Sequence, residues 1–157
     1  MTANKSRNYI LAMLIFSFSC TVSADCFEQA GQDSHIDPDL LRAIAKVESN
    51  HDPLAIGKNP RQGFGVGIMQ IDSQHFRYLE RFGIYPELLL DKCINIYTGA
   101  YFLKLALNRM GNSWEAVGAY NAGFSKKRQQ SERRQRYAER VRKHYNLIKR
   151  SEQNQAI

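Results

Sequence analysis

The sequence predicts a mainly α domain. Apolar residues recur at helical spacing in five segments, several of them opened by a capping residue. No segment alternates apolar and polar residues as a half-buried strand does. Four glycines and two prolines are gathered in residues 50–67, which leaves the longer segments free of helix breakers.

Asp37-Pro38-Asp39 opens the first predicted helix. It offers an N-cap carboxylate, a proline whose missing N–H costs nothing in the first turn, and an acid beside the positive dipole end. Leu40, Leu41, Ile44 and Val47 follow at helical spacing, and Asp52-Pro53 closes the segment. Residues 50–67 are expected to be a loop. Residues 73–82 form a short helix, with Asp72 read as its N-cap. Residues 91–110 form a longer one, with Ile94, Tyr97, Tyr101 and Leu105 expected on its buried face and Gly111 ending it. Ser113 caps a helix carrying Trp114, Val117 and Tyr120. Residues 131–149 make the last, with Tyr137, Val141, Tyr145 and Ile148 in register. The tail, residues 151–157, is polar and expected to be frayed. Neither repeats nor a domain boundary appear.

Residues 1–24 read as a segment to be removed. Lys5 and Arg7 form a positive start, residues 9–19 an apolar stretch, and Val22-Ser23-Ala24 a small-residue cleavage site. This is the secretory signal pattern. Eleven apolar residues span about 16 Å as a helix, well short of the roughly 30 Å hydrocarbon core, so no stable membrane anchor is expected. The chain has 157 residues, 22 Lys and Arg, 15 Asp and Glu, and 43% hydrophobic residues. Its length suits one domain, residues 25–150, and excludes a TIM barrel or a two-domain dinucleotide enzyme. Removing Lys5 and Arg7 leaves 20 basic residues against 15 acidic ones, a charge of +5. Cys26 and Cys93 then remain as an even pair in an oxidising compartment. Pairing and two buried free thiols both fit. No Cys-x-x-Cys occurs and His35, His51, His75 and His144 lack ligand spacing, so no metal is expected.

Glu48 lies four residues after Ile44 and seven after Leu41, on the apolar side of the first helix and near its C-terminal end. Burial and the negative dipole end would both raise its pKa. A carboxylic acid protonated near neutral pH is what a general acid requires. The same spacing also fits a glutamate at the edge of the stripe, pointing to water. Of the nearby acids, Asp52 sits in the turn and Asp72 fits a cap better than a second catalytic carboxylate.

Beyond Glu48 come Ser49, then Gly67-Ile68-Met69-Gln70, Ala119-Tyr120-Asn121-Ala122-Gly123 and Tyr137-Ala138-Glu139-Arg140-Val141. With these motifs, in this order, the chain resembles the soluble lytic transglycosylase domain of the lysozyme-like superfamily. Asn95 and Gly99 to Leu103 also look like that family's central helix. The resemblance runs from about residue 26 to 150.

The resemblance implies a compact lysozyme-like helical domain with a glycan-binding cleft. It implies cleavage of the β-1,4 bond between N-acetylmuramic acid and N-acetylglucosamine in peptidoglycan, leaving 1,6-anhydromuramoyl ends. Glu48 matches the family's single catalytic acid/base, which serves both proton transfers without a second carboxylate. It implies no cofactor. Ser49, Gly67, Met69, Gln70, Tyr120, Asn121 and Tyr137 are then candidate substrate-binding residues. Gly67 would let backbone approach the sugar, and Met69 would form a soft wall. Gln70 and Asn121 would bond hydroxyls or acetamides, and Ser49 the acetamido group or backbone. Tyr120 would orient Glu48 or the acetyl group, and Tyr137 would face Glu48. On residue type alone, Tyr120 and Tyr137 read as core aromatics and Met69 as core filling. Small stand-alone members accompany trans-envelope machines, so the expected partners are peptidoglycan strands and a type III or type IV secretion, conjugation or pilus apparatus. The expected location is the periplasm and the expected state a monomer. A hydrolytic muramidase on the same fold and a binding module without turnover are the rival readings.

Gly63-x-Gly65-x-Gly67 lacks the Lys-Ser/Thr of a phosphate loop. Residues 126–150 hold eleven Lys or Arg against Glu132 and Glu139. That stretch reads either as a solvated helix face or as attraction to anionic wall polymer or membrane surface. No nucleic-acid recognition motif is present, and no nucleic acid is expected as a partner.

Overall fold

The computed structural model describes residues 25–59 and 63–155; the expected signal segment lies outside them. Helix α1 spans Cys26–Ser34 and α2 Pro38–Ser49. Strands β1 (Ile56–Asn59), β2 (Gly63–Val66) and β3 (Ile71–Asp72) follow. The short α3 (Phe76–Leu79) sits between 3-10 turns at Ser73–His75 and Glu80–Phe82, and a third such turn covers Pro86–Leu90. Helices α4 (Lys92–Met110), α5 (Trp114–Ala122) and α6 (Arg128–Gln155) complete the domain. The mainly α, lysozyme-like class holds.

The caps act as the sequence predicts. Asp37 accepts from the Asp39 amide at 2.9 Å, and Pro38 occupies the first turn of α2. Asp72 accepts from Gln74 N at 2.8 Å, and Ser113 from Ala116 N at 3.2 Å. Helix α1 is additional to the predicted elements. Asp25 caps it through Glu28 N, and His35 ends it in the left-handed region, at φ 53°. The Cys26–Cys93 disulfide joins its first residue to the start of α4, with Cα atoms 5.3 Å apart.

Two expectations fail. Residues 50–67 are not wholly loop, because β1 and β2 pair antiparallel in the order β1-β2-β3. Gly57 stands opposite Gly65, and a Cβ on either would collide with the Gln70 side chain. Glycine at these positions lets Gln70 lie against the sheet and removes the alternation that marks a strand. The buried face of α4 is also misassigned. Tyr97, Tyr101 and Leu105 are exposed, whereas Ile96, Gly99, Ala100, Leu103 and Ala106 are buried. The helix is central, so its inward face needs narrow residues: a Cβ at Gly99 would lie 2.8 Å from the Met69 methyl. The tyrosines sit at the rim, where Tyr97 donates to Asp33 at 2.7 Å and the Tyr78 and Tyr101 hydroxyls meet.

Helix α6 runs antiparallel to α2, and polar contacts set their register. At one end Tyr145 donates to Asp37 at 2.7 Å, and Lys149 bonds Asp39. At the other end, Tyr137 is opposite Glu48. Arg42 adds contacts from α2 to Asp25, Glu28 and Asp39. Burial alone would raise the Asp39 pKa, but the Lys149 and Arg42 hydrogen bonds outweigh it and hold the carboxyl below its usual range. The helix continues to Gln155, past the predicted end at 149.

Candidate functional site

Glu48 occupies the last turn of α2. The chain reverses immediately after it, with Asn50 and His51 both at positive φ (58° and 66°). This brings the following strands back beside the carboxyl. Glu48 Oε1 accepts a 2.6 Å hydrogen bond from the Tyr137 hydroxyl, and Tyr137 itself is buried. Burial pushes the Glu48 pKa from 4.5 up to about 7. The Tyr137 hydrogen bond and the nearby Arg140 charge pull it back only in part. One side of the carboxyl is therefore held by a neutral donor while desolvation keeps the proton available near neutral pH. The glutamate is partly buried and lines an adjoining cavity, so the reading of a side chain turned out to water does not apply.

The segment 66–70 is fixed by side chains from three helices. From α2, Ser49 donates to Ile68 O at 2.8 Å. From α4, the fully buried Asn95 accepts from Met69 N at 2.7 Å and donates to Val66 O at 2.8 Å and Leu89 O at 2.7 Å. From α5, Tyr120 donates to Met69 O at 2.8 Å. Gln70, at φ 50°, turns its own amide back onto Ala55 O (3.0 Å) and Gly67 O (2.8 Å). Gly67 has φ 76°, and a Cβ there would overlap Asn95 and the Leu89 carbonyl. These contacts satisfy backbone groups that would otherwise be buried without partners.

The sequence reading gave several of these residues direct roles toward a sugar, and the structure gives them other neighbours. The close approach at Gly67 is to Asn95. Met69 is fully buried against Gly99 in the core. Ser49 takes the backbone option. The Tyr120 hydroxyl bonds the Met69 carbonyl and not Glu48, although its ring still lines the cavity. Asn121 is exposed on the cavity wall. Tyr137 faces Glu48 as expected.

The cavity beside Glu48 has a volume of about 830 Å³, within the range of small-ligand sites. The sheet side contributes Gln70 and Asp72, and α5 contributes Tyr120 and Asn121. Two parts of the wall were missed in the sequence. His75 stacks on Phe102 with ring centroids 4.2 Å apart, and both rings line the cavity. Phe124 and Gln130 also line it. The short basic connection between α5 and α6 is held in place by buried Arg134, which donates to Gly123 O at 3.2 Å and Ser125 O at 2.8 Å and pairs with Glu115. Gln130 donates to Ala122 O at 2.7 Å. Phe124 directly follows the 119–123 motif, which was the available signal; nothing local marks His75 or Gln130.

Asp72 also lines the cavity, but its Oδ1 is engaged as a cap. Among the described residues, no cluster of His, Cys, Asp and Glu has the geometry of a metal site.

The family model of the transglycosylase SLT domain matches residues 25–143. The chain is 54% identical over 147 residues to the X polypeptide of Escherichia coli, covering 92% of this chain and 87% of that one. It is 42% identical over 142 residues to the invasion protein IagB of Salmonella typhimurium, covering 90% and 87%. It is 38% identical over 141 residues to a peptidoglycan-binding-like protein of Escherichia coli O157:H7, covering 85% and 83%.

Proposed function

The chain belongs to the transglycosylase SLT family, and from that membership we propose that it is an exported lytic transglycosylase. It cleaves the bond between N-acetylmuramic acid and N-acetylglucosamine in peptidoglycan and leaves a 1,6-anhydromuramoyl end. The observation that carries this is the carboxyl of Glu48, raised to about 7 and held by Tyr137 at the edge of a cavity.

In the first step, protonated Glu48 gives its proton to the glycosidic oxygen as the bond to the muramoyl C1 breaks. In the second, the Glu48 carboxylate takes the proton from the muramoyl C6 hydroxyl as that oxygen closes on C1. The Glu48 proton is thus replaced and water is not consumed. Tyr137 stabilises the carboxylate between the two steps, and burial prevents it from becoming too weak a base. The usual inverting and retaining hydrolytic routes each use a second carboxyl. Asp72, the other acid on the cavity wall, already caps the following turn, which favours the anhydro product.

The Cys26–Cys93 bond supports a periplasmic location, and among the described residues no helix is long and apolar enough to cross a membrane. The invasion protein among the relatives supports a role in opening the wall for a secretion, conjugation or pilus machine. Mass spectrometry of fragments released from purified peptidoglycan tests the chemistry. Anhydro-muropeptides from the parent and none from Glu48→Gln are expected. Reducing ends from the parent would assign a hydrolase instead.

A further inference from the structure

The basic face of α6 has no part in the chemistry above. Arg133, Arg136, Arg140, Lys143 and Arg150 follow one another at intervals of three, four, three and seven residues, which places them on one side of the helix. All five are exposed, and the row extends about 26 Å along the axis. The opposite side buries Arg134, Tyr137, Ala138 and Val141, so the row is not needed to fold the domain. Among the described residues, Arg133, Arg136, Lys143 and Arg150 take part in no ion pair, whereas Arg128, Arg134 and Lys149 do. Glu132 and Glu139 lie beside it in the sequence, but Glu132 pairs with Arg128, and five cations against these two acids leave the row net positive.

The row passes beside the residues that hold the catalytic carboxyl. Arg140 lies against the Tyr137 ring, 5.6 Å from its centroid, and its charge acts on Glu48. Arg133 is one turn from Gln130, which lines the cavity. We propose that Arg133, Arg136 and Lys143 bind the carboxylates of the peptide stems carried by the glycan strand. This rests on the reading of Glu48 as acting at a muramoyl unit. Each muramoyl lactyl group carries a peptide with free carboxylates, so a muramoyl unit at Glu48 places its stem beside Arg140 and its anionic groups along the row. The continuity of the row with the site favours the substrate over a separate anionic surface. Arginine and lysine here act as exposed, salt-sensitive charges that select peptide-bearing glycan.

The test uses Arg133→Gln, Arg136→Gln and Lys143→Gln together, leaving Arg140 intact. Binding is measured by co-sedimentation with Glu48→Gln as the common background, so that it does not depend on turnover. The probes are peptidoglycan with its stems, the same glycan stripped of peptides by an amidase, and phosphatidylglycerol vesicles. The expected result is binding to the stem-bearing polymer weakened on the order of fivefold at low salt, with a smaller dependence on salt. Binding to stripped glycan is expected to be unchanged. Equal weakening on both polymers, or none on the stem-bearing one, overturns the proposal. Loss confined to the vesicles assigns the row to a membrane and also overturns it. Failure of the enzymatic reading appears separately, as no anhydro product from the parent on either polymer.

Discussion

The Glu48 carboxyl should leave a pH signature on stability. Its ordinary pKa is 4.5 and its folded value is about 7. An acid raised in this way holds its proton longer in the native state than in the unfolded chain. The native state is therefore favoured most below pH 4.5. Between 4.5 and 7 it loses about 1.4 kcal/mol per pH unit, for a total of about 3 kcal/mol at pH 8. Glu48→Gln removes the titration while keeping the side-chain volume and an acceptor for the Tyr137 hydroxyl. The two proteins should be similar in stability near pH 4, and the variant should be more stable by about 3 kcal/mol at pH 8. Subtracting one from the other cancels the acid pairs at Arg42 and Lys149, which titrate in both. Urea unfolding followed by Trp114 fluorescence at pH 4, 6, 7 and 8 measures the difference. A gap that does not change with pH would mean the folded protein solvates the carboxylate well. Glu48 would then not be a general acid poised near neutrality.

Other perturbations follow from the same contacts. Tyr137→Phe removes the hydrogen bond that lowers the Glu48 pKa, so the alkaline limb of the pH–rate profile should move upward by about one unit; an unmoved limb would separate the tyrosine from the titration. Asn95→Ala strands the Met69 amide and the Val66 and Leu89 carbonyls and should cost about 3 kcal/mol or more in urea unfolding. Replacing Cys26 and Cys93 by serine opens a link across 67 residues and should cost about 4 kcal/mol, read as a lower urea midpoint that reductant no longer changes. Glu48→Gln should reduce turnover by on the order of a thousandfold in the fragment-release assay.

The sequence carried the parts of this fold that depend on local chemistry. Asp37-Pro38, Asp72 and Ser113 are read as caps because the capping atom lies two or three residues from its partner. Glu48 is legible because helical spacing and a motif agree on it. The face of α4 was not legible. Tyrosine and leucine look more apolar than glycine and alanine, but what decides burial on a central helix is how closely Met69 and the neighbouring helices approach. The sheet was hidden for a related reason: Gly57 and Gly65 leave room for a glutamine, and a residue without a side chain contributes nothing to alternation. The direction of the polar side chains was also beyond a local reading. Ser49 meets a carbonyl 19 residues away, Tyr120 one 51 away, and Tyr137 an acid 89 away.

These long-range contacts change how mutations around the site should be read. Ser49, Asn95 and Tyr120 come from three helices and end on the same short stretch of backbone, between Val66 and Met69. That stretch joins β2 to β3, and β3 leads into the Asp72 cap and the His75–Phe102 stack on the cavity wall. Removing any one of the three side chains leaves a carbonyl of this stretch unpaired and loosens the wall that faces Glu48. Their substitution should therefore lower stability and activity together. Tyr137→Phe differs, because the ring stays packed and only the proton donor to Glu48 is removed. A variant set that includes Ser49→Ala, Tyr120→Phe and Tyr137→Phe separates the two effects: the first two should raise KM while keeping the pH profile in place, and the third should move the profile.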